Sequence, residues 1–269
     1  MKFSTTILSA LLTTAAIAAP LTERRAARNA ARAEGRTSRI SRPPYKPDTR
    51  ERITLNGTTH EEYSTNWAGA VLIGTGYTSV TGQFTAPTPK LPSGASSSEQ
   101  YCASAWVGID GDTCSSAILQ TGIDFCIQGS KVTYDAWYEW YPDYAYDFSG
   151  LSISAGDVIE VTVTATSKTA GSAVIKNLTT GKSVSHTFTG GVDGDLCEYN
   201  AEWIVEDYES GGQLVPFVDF GTVTFTNAKA TKGGKSVGPS GSTLMDIKQS
   251  KVVLTKSSLT SNSVSVSYV

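Results

Sequence analysis

The residues of this chain best suited to chemistry are carboxylates and amides set among aromatic side chains, and three segments concentrate them. Ala105-Trp106-Val107-Gly108-Ile109-Asp110-Gly111-Asp112 leads into Ala117-Ile118-Leu119-Gln120-Thr121-Gly122. The second segment is Tyr134-Asp135-Ala136-Trp137-Tyr138-Glu139-Trp140-Tyr141-Pro142, and the third is Asn200-Ala201-Glu202-Trp203-Ile204-Val205-Glu206-Asp207. In a strand, side chains alternate between faces. Asp135, Trp137, Glu139 and Tyr141 then share one face, as do Glu202, Ile204 and Glu206. An acid beside large apolar groups has its pKa raised by desolvation and stands where a substrate can be held, which suits general acid–base work. Each residue also has a plain reading. Tyr138 and Trp140 read first as packed core. Glu206, on pattern alone, is as much a solvated strand residue as a functional one. Gln120 follows three apolar residues and, if buried, needs hydrogen-bond partners, so by itself it reads as structural.

Other chemistries lack their residues. After Glu61 the one histidine is His186, alternating with Val184 and Phe188. It reads as a surface residue, which leaves a Ser-His-Asp triad without its base. No Asp-Thr-Gly or Asp-Ser-Gly pair is present, Asp112-Thr113-Cys114 being the nearest approach. No C-x-x-C or H-E-x-x-H spacing offers a zinc site, so neither metal nor cofactor is expected.

These segments are positioned by a chain of three parts. Lys2, the apolar run Ile7 to Ile17 and the small-residue site Ala16-Ile17-Ala18 read as a signal peptide over residues 1–18. The run is too short to span a membrane, and the product is expected to be secreted. Export makes the four cysteines two disulfides, with three connectivities open. Residues 19–60 form a basic segment: from Leu21 to His60 there are nine Arg and one Lys against four acids, whereas residues 61–269 hold 11 Lys and no Arg against 21 acids. Such an arm can bind nucleic acid. In an exported protein it reads instead as a removable, largely unstructured pro-segment with a possible short helix at Ala26 to Ala33, since it has too few apolar residues for a core.

Residues 61–269 alternate with period two. Strands are expected over Val158 to Thr164, Ser183 to Phe188, Val215 to Thr226 and Val264 to Val269, separated by Gly-rich turns. Many short strands at this spacing point to an all-β antiparallel sandwich. Pro87 to Ser98 is a Pro, Gly and Ser-rich loop, the best place for a nick.

The segments WVGIDGD, AILQTG, YDAWYEWYP and NAEWIVED resemble the fungal glutamic peptidases, or eqolisins, and the likeness runs from Glu61 to Val269. The resemblance implies a concanavalin-like β-sandwich of two sheets and a secreted acid endopeptidase made as a zymogen. Its catalytic pair would be Gln120, from Ala-Ile-Leu-Gln-Thr-Gly, and Glu206, the last acid of Ala-Glu-Trp-Ile-Val-Glu. Trp106, Asp110, Trp137 and Glu139 would line the substrate site. It also implies disulfides Cys102–Cys126 and Cys114–Cys197. The implied partners are protein and peptide substrates and the chain's own pro-segment as inhibitor, with no nucleic acid, no membrane and a monomeric state. Two-chain members carry an excised linker; Pro87 to Gln100 is short here, so a single mature chain is at least as well supported. The rival reading is a glycoside hydrolase acting on a β-glucan through Glu139 and Glu206; a third is a carbohydrate-binding sandwich without catalysis.

Overall fold

The computed structural model describes residues 39–45, 53–54 and 60–269, with backbone alone for 53, 54 and 60. The expected signal peptide and the helix at Ala26 to Ala33 lie outside these residues. The strands of five or more residues are β1 (His60–Ser64), β2 (Trp67–Ile73), β3 (Tyr77–Thr85), β4 (Gln100–Ile109), β5 (Ile118–Gln128), β6 (Lys131–Tyr141), β7 (Val158–Ser167), β8 (Ala170–Asn177), β9 (Lys182–Thr189), β10 (Asn200–Glu206), β11 (Thr222–Lys232), β12 (Thr243–Gln249), β13 (Thr255–Leu259) and β14 (Val264–Tyr268). No helix among the described residues is long and apolar enough to cross a membrane.

Two large sheets form. One runs Ile53–Thr54, β1, β12, β2, β10, β4, β5, β6, Tyr146–Asp147; the other runs β9, β8, β7, β3, β11, β14, β13. Pairing is antiparallel except for β1 against β12, which is parallel. The expected boundary between residues 60 and 61 falls inside β1, and Ile53–Thr54 pair with Glu61 and His60.

The period-two pattern sorts each strand of the first sheet. Its inner residues, among them Ala68, Ala105, Val107, Leu119, Ile123, Phe125, Trp140, Trp203 and Val205, join Val80, Phe84, Val161, Val163 and Phe225 of the second sheet in one core. Trp203 fixes the two layers against each other, its indole N–H donating to the Thr81 carbonyl at 2.9 Å. Full burial of each such side chain contributes roughly 1.5–3 kcal/mol. Tyr138 and Trp140 lie on this inner side, as core residues.

Three local expectations change. Val215 to Thr226 is not one strand: β11 starts at Thr222, and the stretch before it keeps only isolated bridges, Cys102 to Phe217 and Lys90 to Asp219. Pro216 offers no N–H to a ladder, and Gly221 at φ +67° turns the chain. His186 is half-buried, stacked on Tyr138 with centroids 4.0 Å apart. The segment before residue 61 is not wholly without a place, since residues 39–45 lie against the first sheet. The disulfides are Cys102–Cys126 and Cys114–Cys197, the pairing that the resemblance implies.

Candidate active site

The outer face of the first sheet carries the candidate residues, in rows set by strand register. Glu202 on β10 opposes Gly108 on β4, Gly108 opposes Gln120 on β5, and Gln120 opposes Glu139 on β6. The next row is Ile204, Trp106, Gly122 and Trp137; the third is Glu206, Ser104, Asp124 and Asp135. Gln120 and Glu206 thus stand diagonally across β4, with Trp106 in the row between them. Gly122 makes that arrangement fit. A Cβ there would come within 2.3 Å of the Ala105 carbonyl oxygen and 2.4 Å of Trp106 Cβ, so only hydrogen leaves room for the indole. Trp67, Val71, Trp106, Ile118, Trp137, Ile204 and Met245 form a second apolar cluster on this face.

Residues 39–45 cover it. Ile40 exchanges backbone hydrogen bonds with Glu209, and the Ala145 N–H donates to the Arg39 carbonyl. The Tyr45 N–H donates to Asn66 Oδ1, and Asn66 Nδ2 donates to the Arg42 carbonyl. Arg39 is 4% exposed, and its guanidinium reaches into the face. Its Nε donates to Asp124 Oδ2 at 2.6 Å, Nη2 to Ser104 Oγ at 3.1 Å, and Nη1 lies 3.5 Å from Glu139 Oε2. The group sits over the Trp137 ring at 3.8 Å and the Tyr208 ring at 4.5 Å. The Ser41 N–H donates to Glu139 Oε2 at 3.2 Å.

Glu206 is fully buried, and Trp106 Nε1 donates to its Oε2 at 2.9 Å. Burial pushes its pKa up to about 7, held back by the Arg39 charge, the nearby Ser41 hydroxyl, the Trp106 N–H and the Arg42 backbone N–H. The Ser41 hydroxyl faces Glu206 but closes no hydrogen bond of ordinary geometry, and Glu206 Oε1 has none. Glu139 is pushed well above the usual range by burial, against the pull of Arg39 and the Ser41 N–H. Burial likewise raises Asp124 against Arg39, and raises Asp207 to about 8 against its bond from Gln249. Gln120 is fully buried, and neither its Oε1 nor its Nε2 has a hydrogen-bond partner among the described residues. A buried amide with both groups unmatched is costly in a folded protein and calls for a functional or structural reason.

Of the residues singled out from sequence, Gln120, Glu206, Trp106, Trp137 and Glu139 meet on this face. Asp110 does not join them. It follows β4 at φ +71°, and its two carboxylate oxygens accept the backbone N–H groups of Cys197, Glu198, Tyr199 and Asn200, which anchors the loop entering β10. With its acceptors committed to that loop, it has a structural task. Four participants were not singled out: Arg39, Ser41, Ser104 and Asp124. Asp124 was within reach of the alternation that includes Gln120 and Gly122 on β5. Nothing distinguishes Arg39 from the other arginines of its segment by sequence.

The family model described as the Peptidase A4 family matches residues 65–268. Aspergillopepsin-2 of Aspergillus niger is 62% identical over 284 residues and scytalidopepsin B of Scytalidium lignicola 40% over 277, each match spanning the whole of both chains. Among solved structures, scytalido-glutamic peptidase with a peptide-based transition-state analogue superposes with TM-score 0.69 at 43% identity, covering 76% of this chain and 98% of that one. Aspergilloglutamic peptidase from Aspergillus niger superposes with TM-score 0.62 at 69% identity, covering 63% and 99%. These matches set aside the glycoside-hydrolase and carbohydrate-binding readings: the chain belongs to the peptidase A4 family, the eqolisins, and is a glutamic endopeptidase.

Proposed function

We propose that this chain is the secreted precursor of an acid endopeptidase in which Glu206 is general base and then general acid, and Gln120 is the oxyanion donor. The observation that carries the reading is the pair itself. Both side chains are fully buried on one sheet face on either side of Trp106, with Gln120 Oε1 and Nε2 and Glu206 Oε1 all unmatched. Ionised Glu206 takes a proton from water, and the water attacks the scissile carbonyl. The Gln120 amide donates to the developing oxyanion, which contributes about 3–4 kcal/mol in comparable sites. Protonated Glu206 then donates to the leaving amine. A relative solved with a peptide-based transition-state analogue supports a peptide as the substrate.

Latency follows from residues 39–45. They cover Glu206 and fill the space between Asp124, Glu139 and Trp137, so the precursor cannot admit a substrate there. The burial that places Glu206 near 7 also keeps it protonated in acid, where a protonated acid is no base. Removing the segment readmits water, which lowers the pKa, and also takes away the Arg39 charge and the Ser41 and Arg42 groups that hold it down. The basic segment and acidic domain attract each other at neutral pH, and that attraction weakens as carboxylates protonate.

The test is hydrolysis of denatured protein at low pH by the acid-treated chain. Glu206→Gln is expected to abolish turnover with the fold intact, and Gln120→Ala to lower kcat by roughly a hundredfold or more. Near-normal activity in either variant refutes the assignment.

A further inference from the structure

The oxyanion role asks Gln120 to present its amide N–H to the substrate, yet among the described residues nothing holds that amide. The terminal torsion of a glutamine is broad and nearly two-fold, so an unheld amide offers its oxygen about as readily as its nitrogen. Oxygen facing an oxyanion repels it. The site therefore needs a donor aimed at Gln120 Oε1.

Glu202 stands where that donor is required, and the mechanism above leaves it idle. It shares a row with Gln120, the two being separated only by Gly108. A Cβ on Gly108 would lie 2.9 Å from Glu202 Oε1 and 3.3 Å from Gln120 Cβ. The two side chains flank the same glycine, over which the Trp106 ring also packs, its Cζ3 2.8 Å from where a Cβ would stand. The Gln120 amide carbon is two bonds beyond its Cβ, and no hydrogen bond joins the amide to the Glu202 carboxyl in this structure. Glu202 is fully buried, and both its oxygens lack hydrogen-bond partners. Burial, and after it the charges of Asp110 and Asp112, both acids, place its pKa well above the usual range. Glu139, the acid on the far side of Gln120 in the row, is engaged by Arg39 and Ser41 while the segment is in place. An ionised Glu202 would be a buried anion without a cation, whereas the neutral acid has one O–H to give.

We infer that Glu202 is a positioning residue for catalysis: in the substrate-bound enzyme its neutral carboxyl donates a hydrogen bond to Gln120 Oε1 and so turns Nε2 toward the reacting carbonyl. This rests on the reading of Gln120 as the oxyanion donor. It makes Glu202 act through Gln120 and not on the substrate.

The experiment measures kcat and KM on a peptide substrate at acid pH for the full chain after acid treatment, with thermal melts to confirm folding. Glu202→Leu is expected to lower kcat about ten- to a hundredfold while KM moves less than about twofold, since orientation is lost and binding is not. Glu202→Met, nearly the same length, serves if the leucine variant does not accumulate. Glu202→Gln keeps a neutral donor and is expected to stay within about threefold of the parent. In a Gln120→Ala background, Glu202→Leu is expected to cost nothing further, because its effect passes through the absent amide. A merely structural glutamate would instead add its loss to that of Gln120→Ala. The inference is overturned if kcat survives Glu202→Leu and Glu202→Met, if Glu202→Gln loses as much as they do, or if the losses add. Failure of the underlying reading has a different signature: Gln120→Ala then retains activity by itself.

Discussion

The contact of Arg39 with the site permits a quantitative test of latency. In a peptide spanning Leu21 to His60, Arg39→Met keeps much of the side-chain length and removes the charge. Structurally it deletes the 2.6 Å bond to Asp124, the 3.1 Å bond to Ser104, the approach to Glu139 and the stacking on Trp137. Removing one partner of a buried, hydrogen-bonded charge pair costs roughly 2–5 kcal/mol. At about 1.4 kcal/mol per factor of ten, the low to middle part of that range weakens inhibition about 30- to 300-fold. Arg42 is the internal comparison. It pairs with Glu209 at 2.6 Å, but its side chain is 47% exposed. A pair in that setting contributes at most about 1 kcal/mol, so Arg42→Met is expected to weaken inhibition less than about fivefold. The assay is the inhibition constant of each peptide against acid-activated enzyme, starting at the highest pH with measurable turnover. Arginine keeps its charge throughout, so the pH response belongs to the carboxylates, of which Asp124 and Glu139 lie against Arg39. Burial under the segment raises both, so by linkage their protonation favours the covered state, and loss of inhibition in acid comes from the exposed carboxylates whose attraction to the basic segment is neutralised. Equal weakening by Arg39→Met and Arg42→Met would show that net charge alone holds the segment and would refute the site-specific account.

Further outcomes follow from the same structure. Glu206, Asp207 and Asp246 have folded pKa values of about 7, 8 and 7, above their ordinary values of 4.5, 3.8 and 3.8. Their contribution to stability is therefore fully present below the ordinary carboxylate range and is lost as pH rises through about 7 to 8. The Tm of a Gln120→Ala precursor, used to prevent self-digestion, should be highest near pH 4 and drop by about 10 °C toward pH 8; a flat or rising profile contradicts the burial of these acids. Gly122→Ala, with its Cβ 2.3 Å from a carbonyl oxygen, should destabilise far more than Gly181→Ala, which has open space despite φ +72°. Comparative melts decide between them. Replacing Cys114 and Cys197 by alanine opens a loop with a sequence separation of 83, against 24 for Cys102 and Cys126. In the chain-entropy picture the first pair contributes about 4–5 kcal/mol and should lower Tm more than the second. The Asn177 side chain is fully buried, its Nδ2 donating to the Ser152 carbonyl and Asp157 Oδ2. Mass spectrometry of the chain expressed in a host that glycosylates exported proteins should find the Asn177-Leu178-Thr179 site unmodified.

Much of the architecture and half of the site could be read from residue order alone, because the signals involved are local. Alternation fixed which side of each strand faces out: Asp135, Trp137, Glu139 and Tyr141 in one, Glu202, Ile204 and Glu206 in another. The lone His186 and the missing metal and paired-aspartate motifs removed rival chemistries, and the long segments around Gln120 and Glu206 carried the family. Register was not local. Gln120 and Glu206 meet because β5 and β10 both pair with β4, an arrangement chosen by burying the inner faces of the consecutive strands β4 and β5 and the sequence-distant β10 against the second sheet. Asp110 shows the limit from the other direction: its motif placed it among the site residues, but the loop entering β10 takes its oxygens. Arg39 shows it most plainly. Composition marks its segment as a basic arm, but nine arginines look alike in sequence. Only tertiary structure, by leaving a buried gap between Trp137 and Tyr208 lined with Asp124, Ser104 and Glu139, decides which guanidinium enters, since a cation leaves water only where carboxylates and hydrogen bonds replace it.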